Sequence, residues 1–140
     1  MKVNFQALEF NTIVSKLTST FDFDAVVLGL TGGIEPHFGK NVWDSNGGLH
    51  MWYPHQSQPA TDWEKRVDKL FSLGVQELDS NKRKQYYDEF QLIISEQLPL
   101  IYTVLSSKLM AVKNKFGNLK PSNYGGVLHN IEELYIKEKK

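Results

Sequence analysis

The apolar run from Ala25 to Leu30, AVVLGL, most constrains what this chain can fold into. The run is short, contains β-branched residues and is bounded by polar Asp24 and Thr31, a pattern typical of a strand buried on both faces. Thr31-Gly32-Gly33 then predicts a turn, and Pro36 suits the first position of a helix. The stretch therefore predicts a buried strand, a glycine turn and a helix start, in that order.

This order places a flexible backbone at the carboxyl end of a buried strand, which is where ligands bind in open α/β sheets. The segment is therefore our first candidate for a ligand-binding site. Its candidate residues are Gly29, Leu30, Thr31, Gly32, Gly33 and Glu35. The alternative is an ordinary connection between a strand and a helix that binds nothing.

The residues before this run predict one more strand and a short helix. Apolar and polar residues alternate over 3–7, as in a half-buried strand. Asn11 or Thr12 suits the N-cap of a short amphipathic helix. The apolar residues on its inner face are Ile13, Val14 and Leu17. Strand, helix and the run over 25–30 would form a βαβ unit with parallel strands and a right-handed crossover.

The segment over 38–58 predicts a long irregular loop, because Asn46-Gly47-Gly48 and Tyr53-Pro54 are turn signals. Loops of about 20 residues are unusual in compact domains and often carry function. Aromatic side chains offer a ligand contact area at little entropic cost. The second candidate binding wall therefore consists of Trp43, His50 and Trp52. The alternative is that the two tryptophans cover the edge of the core.

Two amphipathic helices follow this loop. Thr61-Asp62-Trp63-Glu64 is a capping box, which predicts the start of the first helix. Its predicted apolar face is Trp63, Val67, Leu70, Phe71, Val75 and Leu78. Asp79-Ser80-Asn81 separates it from the second helix, which Pro99 ends. The predicted apolar face of the second helix is Tyr86, Tyr87, Phe90, Ile93, Ile94 and Leu98. Because the connection is short, we expect antiparallel packing.

The rest of the chain predicts strands joined by loops. The β-prone segments are 100–105, 109–112 and, near the end, 134–136. Glycine and proline pairs between them indicate a loop-rich return. Together with the earlier elements, they predict an α/β fold with a mixed sheet and flanking helices.

Composition excludes several classes of function. The chain has 140 residues, enough for one domain with a core, and its 16 basic and 16 acidic side chains cancel. No net field therefore attracts nucleic acid or an anionic membrane. The absence of cysteine excludes disulfides and thiol catalysis. No apolar run approaches the roughly 18 residues of a membrane span, and the first ten residues lack the apolar core of a signal peptide.

Motifs for catalysis or cofactor binding are also missing. No P-loop, nucleophile elbow, HExxH or dinucleotide fingerprint occurs in the sequence. We therefore expect no enzymatic activity and no cofactor. One alternative stays open, because His50 and His55 share a loop with Asp44 and could belong to a small metal-dependent hydrolase.

Several motifs, taken in order, carry a resemblance. They include Asp22 and Asp24, Gly29 to Gly32, Glu35-Pro36, the loop from Trp43 to Pro59, Thr61 to Glu64, Asp68, Leu70-Phe71, Asp79, Arg83, Tyr86, Gln91, Leu98 to Tyr102, His129-Asn130 and Leu134-Tyr135. The whole chain thereby resembles the C-terminal end of the dipeptide/oligopeptide family of extracellular solute-binding proteins. These proteins are the receptors of peptide-type ABC importers.

The resemblance implies part of a type II periplasmic-binding-protein fold, in which two α/β lobes close on a ligand. Residues 1–98 would belong to the second lobe, and residues 99–140 to the hinge strand and the segment that returns to the first lobe. The first lobe, the signal sequence and any lipid anchor would lie upstream of this chain. The full-length receptor would be periplasmic or otherwise extracytoplasmic.

The implied function is to bind a peptide or another small solute for transport, with the ABC permease subunits as partners of the full-length receptor. One departure concerns the ligand. Peptide-binding members carry an aspartate for the ligand's α-ammonium where this chain has Gly32, and Leu30 replaces the family tryptophan. We therefore expect a ligand other than a simple peptide. Glu35 could replace that aspartate, but its position before Pro36 is more typical of a helix cap.

A different class of function stays open beside this one. The two amphipathic helices could belong to a stand-alone α/β interaction module that docks a partner protein.

Overall fold

The computed structural model describes residues 2–105, 107 and 109–137. The chain divides into two compact units, Met1–Ile101 and Tyr102–Lys140. The α-helices are α1 (Phe10–Ser15), α2 (Lys40–Trp43), α3 (Asp62–Gln76) and α4 (Ser80–Gln97), and the strands are β1 (Phe116–Gly117) and β2 (Tyr135–Ile136). The described part of the chain is thus a small mixed α/β protein with four α-helices and one two-stranded sheet.

Helix α3 begins where the capping box predicts. The Glu64 backbone N–H donates to Thr61 Oγ1, and the Thr61 backbone N–H donates to Glu64 Oε2 at 2.9 Å. These two bonds satisfy amides that a helix start otherwise leaves open. The predicted apolar face is buried at Val67, Leu70 and Phe71. It is wrong at Val75, which is helical but exposed, and at Leu78, which is exposed and lies beyond the end of the helix at Gln76.

Helix α4 is also confirmed, with a sharper start than the sequence predicts. The Asp79 carboxylate caps it by accepting from the backbone N–H groups of Asn81 and Lys82. The helix ends at Gln97, directly before Leu98-Pro99. Leu98 has a left-handed backbone with φ 48° and an exposed side chain, so its predicted place on the apolar face is wrong.

The two long helices pack antiparallel, as predicted. Arg66, early in α3, pairs with Glu89 near the middle of α4, whereas Gly74, late in α3, accepts from Arg83 near the start of α4. The Phe71 ring lies between them and meets Tyr87 and Phe90 edge-on at 5.7 and 5.0 Å between ring centroids. This aromatic contact forms the core of the first unit.

The N-terminal helix exists, but its cap was predicted wrongly. Glu9 is the N-cap of α1, and its carboxylate accepts from the Asn11 backbone N–H at 2.9 Å. A π-helical turn over Lys16–Thr20 continues the helix and buries Leu17. The loop predicted over 38–58 is partly wrong, because a 3₁₀-helix (Pro36–Gly39) and α2 occupy its first residues.

The predicted strands over 3–7, 25–30, 100–105 and 109–112 are wrong, and so is the βαβ unit. The described residues of these segments are coil, and Val27, in the segment predicted to be most buried, is 79% exposed. A strand is stable only beside a second strand that completes its hydrogen bonds. Among the described residues, the only sheet is β1 with β2, so these segments have no strand to pair with.

The second unit is loop-rich, as predicted. Its sheet pairs Phe116 with Ile136 and Gly117 with Tyr135 in antiparallel register, which confirms the last predicted strand at Tyr135–Ile136. Asn130 is buried, donates to the Asn118 carbonyl at 2.7 Å and accepts from the Lys120 backbone N–H. A short 3₁₀-helix, Ile131–Glu133, precedes β2. Of the helices in the described ranges, none is long and apolar enough to cross a membrane.

Candidate functional site

The first candidate segment, Gly29 to Gly33, is exposed coil. We refer to these five residues as the glycine segment. A Cβ added at Gly29 or at Gly32 would meet no other atom within 4 Å, so open space surrounds the backbone there. No hydrogen-bonded turn forms at Thr31 to Gly33, contrary to the sequence prediction, and a bend follows at residues 34–35 instead. The segment therefore offers its backbone amides and carbonyls to solvent.

Glu35 fixes the end of the glycine segment. It is the N-cap of the 3₁₀-helix, where its carboxylate accepts from the His37 backbone N–H at 3.0 Å, so the cap interpretation is confirmed. The same carboxylate accepts from the Arg83 guanidinium on α4. The hydrogen bond from Arg83 has the largest effect on the pKa of Glu35, followed by the bond from the His37 N–H, and both lower it below its ordinary value. Glu35 is therefore ionised at neutral pH.

Arg83 connects this cap to the helix pair. Its Nε donates to the Gly74 carbonyl at 3.0 Å, and its guanidinium carbon lies 5.7 Å from the centroid of the Tyr87 ring. Tyr87 Oη lies 3.4 Å from His37 Nδ1, within hydrogen-bonding distance. Burial raises the pKa of Tyr87, which stays neutral. The residues that follow the glycine segment are therefore anchored to α4 by two polar contacts.

The second candidate wall is packed rather than open. Trp43 meets Phe90 edge-on at 5.3 Å and lies 5.6 Å from Trp52, which in turn lies 4.0 Å from the His50 ring. Trp43 packs on the core of the first unit. The interpretation that the tryptophans cover the edge of the core is thus confirmed for Trp43.

Glu64 carries a buried carboxylate whose surroundings the sequence reveals only in part. It is 4% exposed, and its carboxylate accepts from Trp52 Nε1, Gln56 Nε2 and the Ala60 backbone N–H as well as from Thr61. Burial raises the pKa of a carboxyl group, but these hydrogen bonds together outweigh it and leave the pKa of Glu64 below its ordinary value. The capping box indicates the bond to Thr61, whereas no local pattern indicates the other donors.

His50 lies beside this carboxylate and is 3% exposed. Its Nδ1 is 3.2 Å from the Val42 carbonyl oxygen. Because a carbonyl only accepts, we infer that Nδ1 carries a hydrogen in this contact. Nε2 lies 3.8 Å from Glu64 Oε1. His50 is therefore held by the protein interior and does not face solvent.

His55, the other histidine of the metal hypothesis, has a different environment. Its backbone is left-handed with φ 59°, and its ring meets Phe21 edge-on at 4.8 Å. Among the described residues, no group of three or more His, Cys, Asp or Glu side chains is placed to hold a metal ion. The hydrolase alternative gains no support from this arrangement.

The structure brings some candidate residues together and leaves others apart. Trp43, His50 and Trp52 share one cluster, which α3 also holds through a bond from the Ser45 backbone N–H to Asp68 Oδ1 at 2.9 Å. Within the described ranges, no backbone hydrogen bond links the glycine segment to this cluster. The site thus has two parts, one open and one packed.

Comparison with known proteins finds no relative of this chain. No family model, no curated protein and no solved structure matches the chain.

Proposed function

We propose that this chain is the C-terminal part of the ligand-binding receptor of a peptide-type ABC importer and contributes one wall of its solute-binding cleft. The finer fold that goes with this role is the second lobe and hinge region of a type II periplasmic-binding fold. The role is binding without catalysis. The partners are a small solute, the missing first lobe and, for the full-length extracytoplasmic receptor, the permease subunits.

The contact between Glu35 and Arg83 is the observation that carries this proposal. The two residues lie 48 positions apart and belong to separate motifs of the resemblance. Other motif residues are joined in the same way, since Asp68 accepts from Ser45 and Glu64 accepts from Trp52. Residues that match one family at scattered positions are expected to contact one another if those positions maintain a common structure.

The unpaired apolar segments support a position within a larger protein. Val27 in the first unit is 79% exposed, and Val104 in the second unit is 85% exposed. Both lie in apolar segments that contain β-branched residues, which favour the pleated surface of a sheet. Strand partners from outside this chain would bury these segments and complete their backbone hydrogen bonds.

The chemistry of the glycine segment defines what its wall recognises. Small residues leave the backbone N–H and C=O groups accessible, and such groups bind the amides of an extended solute. Gly32 supplies no carboxylate at the position where peptide-binding members hold the ligand's ammonium. The proposed solute is therefore held through neutral hydrogen bonds at this wall rather than through a charged terminus.

A titration followed by ¹⁵N NMR tests the proposal. A free tripeptide and its N-acetylated form are added separately to the wild-type chain. One wall of a cleft binds weakly, so we expect shifts confined to residues 29–35, with similar dissociation constants on the order of 1 mM for both peptides. Submicromolar binding would show that this chain alone contains a complete site, which contradicts the proposal. The absence of any shift at residues 29–35 would show that these residues do not contact the solute, which also contradicts it.

Variants at Gly32 sharpen this test. Gly32→Asp restores a carboxylate, and we expect it to favour the free tripeptide over the acetylated one, because a charge-assisted bond is stronger than a neutral one. Gly32→Asn is the matched neutral control and should show no such preference. If both variants treat the two peptides alike, the glycine segment does not face the solute.

A second candidate is the stand-alone interaction module. Two large apolar side chains on the helix pair, Val75 and Leu92, are exposed and available to a partner. This function predicts that the chain dimerises with rising concentration through that pair. Light scattering on the wild type and on a Leu92→Gln variant would distinguish it from the receptor proposal, which predicts no effect of that substitution.

A further inference from the structure

The second unit contains an apolar cavity of about 350 Å³. Nine residues line it, and all but Tyr135 have side chains without a polar atom. The half-buried part of the lining is Phe116, Leu119, Val127 and Leu134. The volume lies within the roughly 300–1,000 Å³ of small-molecule sites, whose walls are also mostly apolar. The cavity therefore has the size and the lining of a site for an apolar ligand.

The cavity is open to solvent, because other side chains of its lining are exposed. Leu128, Ile131 and Ile136 line it and are 59%, 58% and 68% exposed. Apolar side chains that are exposed together on a concave surface mark a binding site. A ligand can reach this lining without any opening of the fold.

Polar contacts beside the cavity hold its walls in place. Asn130 is buried, donates to the Asn118 carbonyl and accepts from the Lys120 backbone N–H. Glu133 Oε2 accepts from Asn118 Nδ2 at 3.0 Å and from Lys120 Nζ at 3.2 Å. These bonds connect the residues on either side of Leu119 with the 3₁₀-helix that precedes β2. They also give the Glu133 carboxylate a positive partner, so its charge is neutralised.

Two lysines lie at one end of the sheet that lines the cavity. The Lys137 backbone N–H donates to the Lys115 carbonyl at 2.8 Å, directly beyond the pairing of Phe116 with Ile136. Lys115 Nζ lies 5.1 Å from the centroid of the Phe116 ring, and Lys137 Nζ donates to the neutral Asn114 side chain. Neither lysine forms an ion pair with a described carboxylate. Like charges that face each other across two strands are unfavourable, so a bound anion would stabilise this end.

We propose that this cavity binds the alkyl chain of a free fatty carboxylate of medium length, whose head group lies beside Lys115 and Lys137. The apolar lining binds the chain, and the lysines favour a negative over a positive head group. The charge of the segment over 112–137 agrees, since it contains four lysines and two glutamates. The proposal is independent of the receptor function, because the glycine segment lies in the other unit.

Octanoate is the probe, at about pH 7.4, where a carboxyl group is ionised. Hexanoate, 1-octanol and octylammonium are the controls for chain length and head group. In methyl NMR of the wild-type chain, we expect octanoate to give saturable shifts at Leu128 and Ile136. It should bind about fifteenfold more tightly than hexanoate, because each buried CH₂ contributes about fourfold. Octanol should bind less tightly than octanoate, and octylammonium least. Equal affinities for octanoate and octylammonium, or unmoved methyl resonances, would overturn the proposal.

A double variant tests the head-group contact. Lys115→Gln combined with Lys137→Gln should weaken octanoate binding by about fivefold and leave octanol binding unchanged, because only octanoate carries a charge. Lys65→Gln, at a lysine of the first unit, is the matched control and should change neither affinity. All three lysines are exposed, so none of these variants removes a core contact. Octanoate binding that is as tight in the double variant as in the wild type would contradict the proposal.

Two other occupants of the cavity give different results. Shifts of the same methyl resonances with protein concentration alone would assign the cavity to a second copy of this chain. Shifts with anionic phospholipid vesicles but not with octanoate would assign it to a membrane surface, and either result overturns the proposal. Octanoate should leave the resonances of residues 29–35 unmoved, so this experiment and the receptor test fail or succeed separately.

Discussion

The phenol ring of Tyr87 on α4 lies directly against Gly74 on α3. A Cβ placed on Gly74 would be 2.7 Å from Tyr87 Cζ and 2.8 Å from its hydroxyl oxygen. Tyr87 is buried and meets Phe71 on another edge, so its ring has little space to move away. The two helices can therefore approach this closely only because residue 74 has no side chain.

Gly74→Ala should lower the free energy of unfolding. Alanine is about 1 kcal/mol better than glycine inside a helix, but overpacking a closed contact costs about 1–3 kcal/mol. We expect a net loss of about 1 kcal/mol in urea unfolding followed by circular dichroism. Gly29→Ala, where the added methyl meets open space, is the control and should stay within about 0.5 kcal/mol of the wild type. A stabilised Gly74→Ala variant would show that the helices are not in this close contact.

Glu64→Gln should destabilise the protein and change how its stability depends on pH. The amide keeps one acceptor oxygen but turns an NH₂ group toward buried donors, which costs about 1–3 kcal/mol at pH 7. The pKa of Glu64 is lowered in the folded state, so its stabilisation is present above the ordinary glutamate value of about 4.3 and is lost as pH falls through the lowered folded pKa.

The measurement for Glu64 is urea unfolding at pH 7, 5 and 3. The wild type should lose more stability than Glu64→Gln between pH 5 and pH 3, so that the two converge. Glu132→Gln, at an exposed position in the second unit, is the matched control and should follow the wild type. Parallel pH profiles for the wild type and Glu64→Gln would contradict the role of this carboxylate.

Glu35→Ala should loosen the end of the glycine segment. Without the carboxylate, neither the His37 amide nor the Arg83 guanidinium holds residue 35. We expect the ¹⁵N order parameters at residues 33–35 to fall toward the flexible range, below about 0.6. Lys84→Ala is the control, because it removes an exposed ion pair with Asp88 on α4, the helix that carries Arg83. It should leave these order parameters unchanged. Unchanged values in Glu35→Ala would mean that other contacts hold the segment.

The parts of the fold predicted correctly are those with local signals. The capping box at Thr61 and the 3.6-residue period of α3 involve residues within a few positions of each other, so the sequence carries them directly. The antiparallel helix pair follows from the short connection at Asp79. The strand predictions over 25–30 and 100–105 failed for the opposite reason, because a strand depends on a partner that no local pattern supplies.

In the candidate site, too, the sequence indicated the local features but not the contacts between distant residues. Sequence alone indicated that Glu35 caps a helix, since a carboxylate directly before Pro36 is a local feature. It did not indicate that Arg83 binds the same carboxylate, because the two residues are 48 positions apart. It also did not indicate that His50 would be buried beside Glu64, as a histidine in a loop of aromatic residues is equally compatible with solvent.

The sequence by itself thus determined the two long helices, the caps at Thr61 and Glu35, the antiparallel order of the helix pair and the mixed α/β class. Only the tertiary structure decided which apolar segments stay exposed, which carboxylates are paired and that His50 is buried beside Glu64. Helix signals act between neighbours in the chain, whereas burial, ion pairs and cavities arise between residues that folding brings together from distant positions.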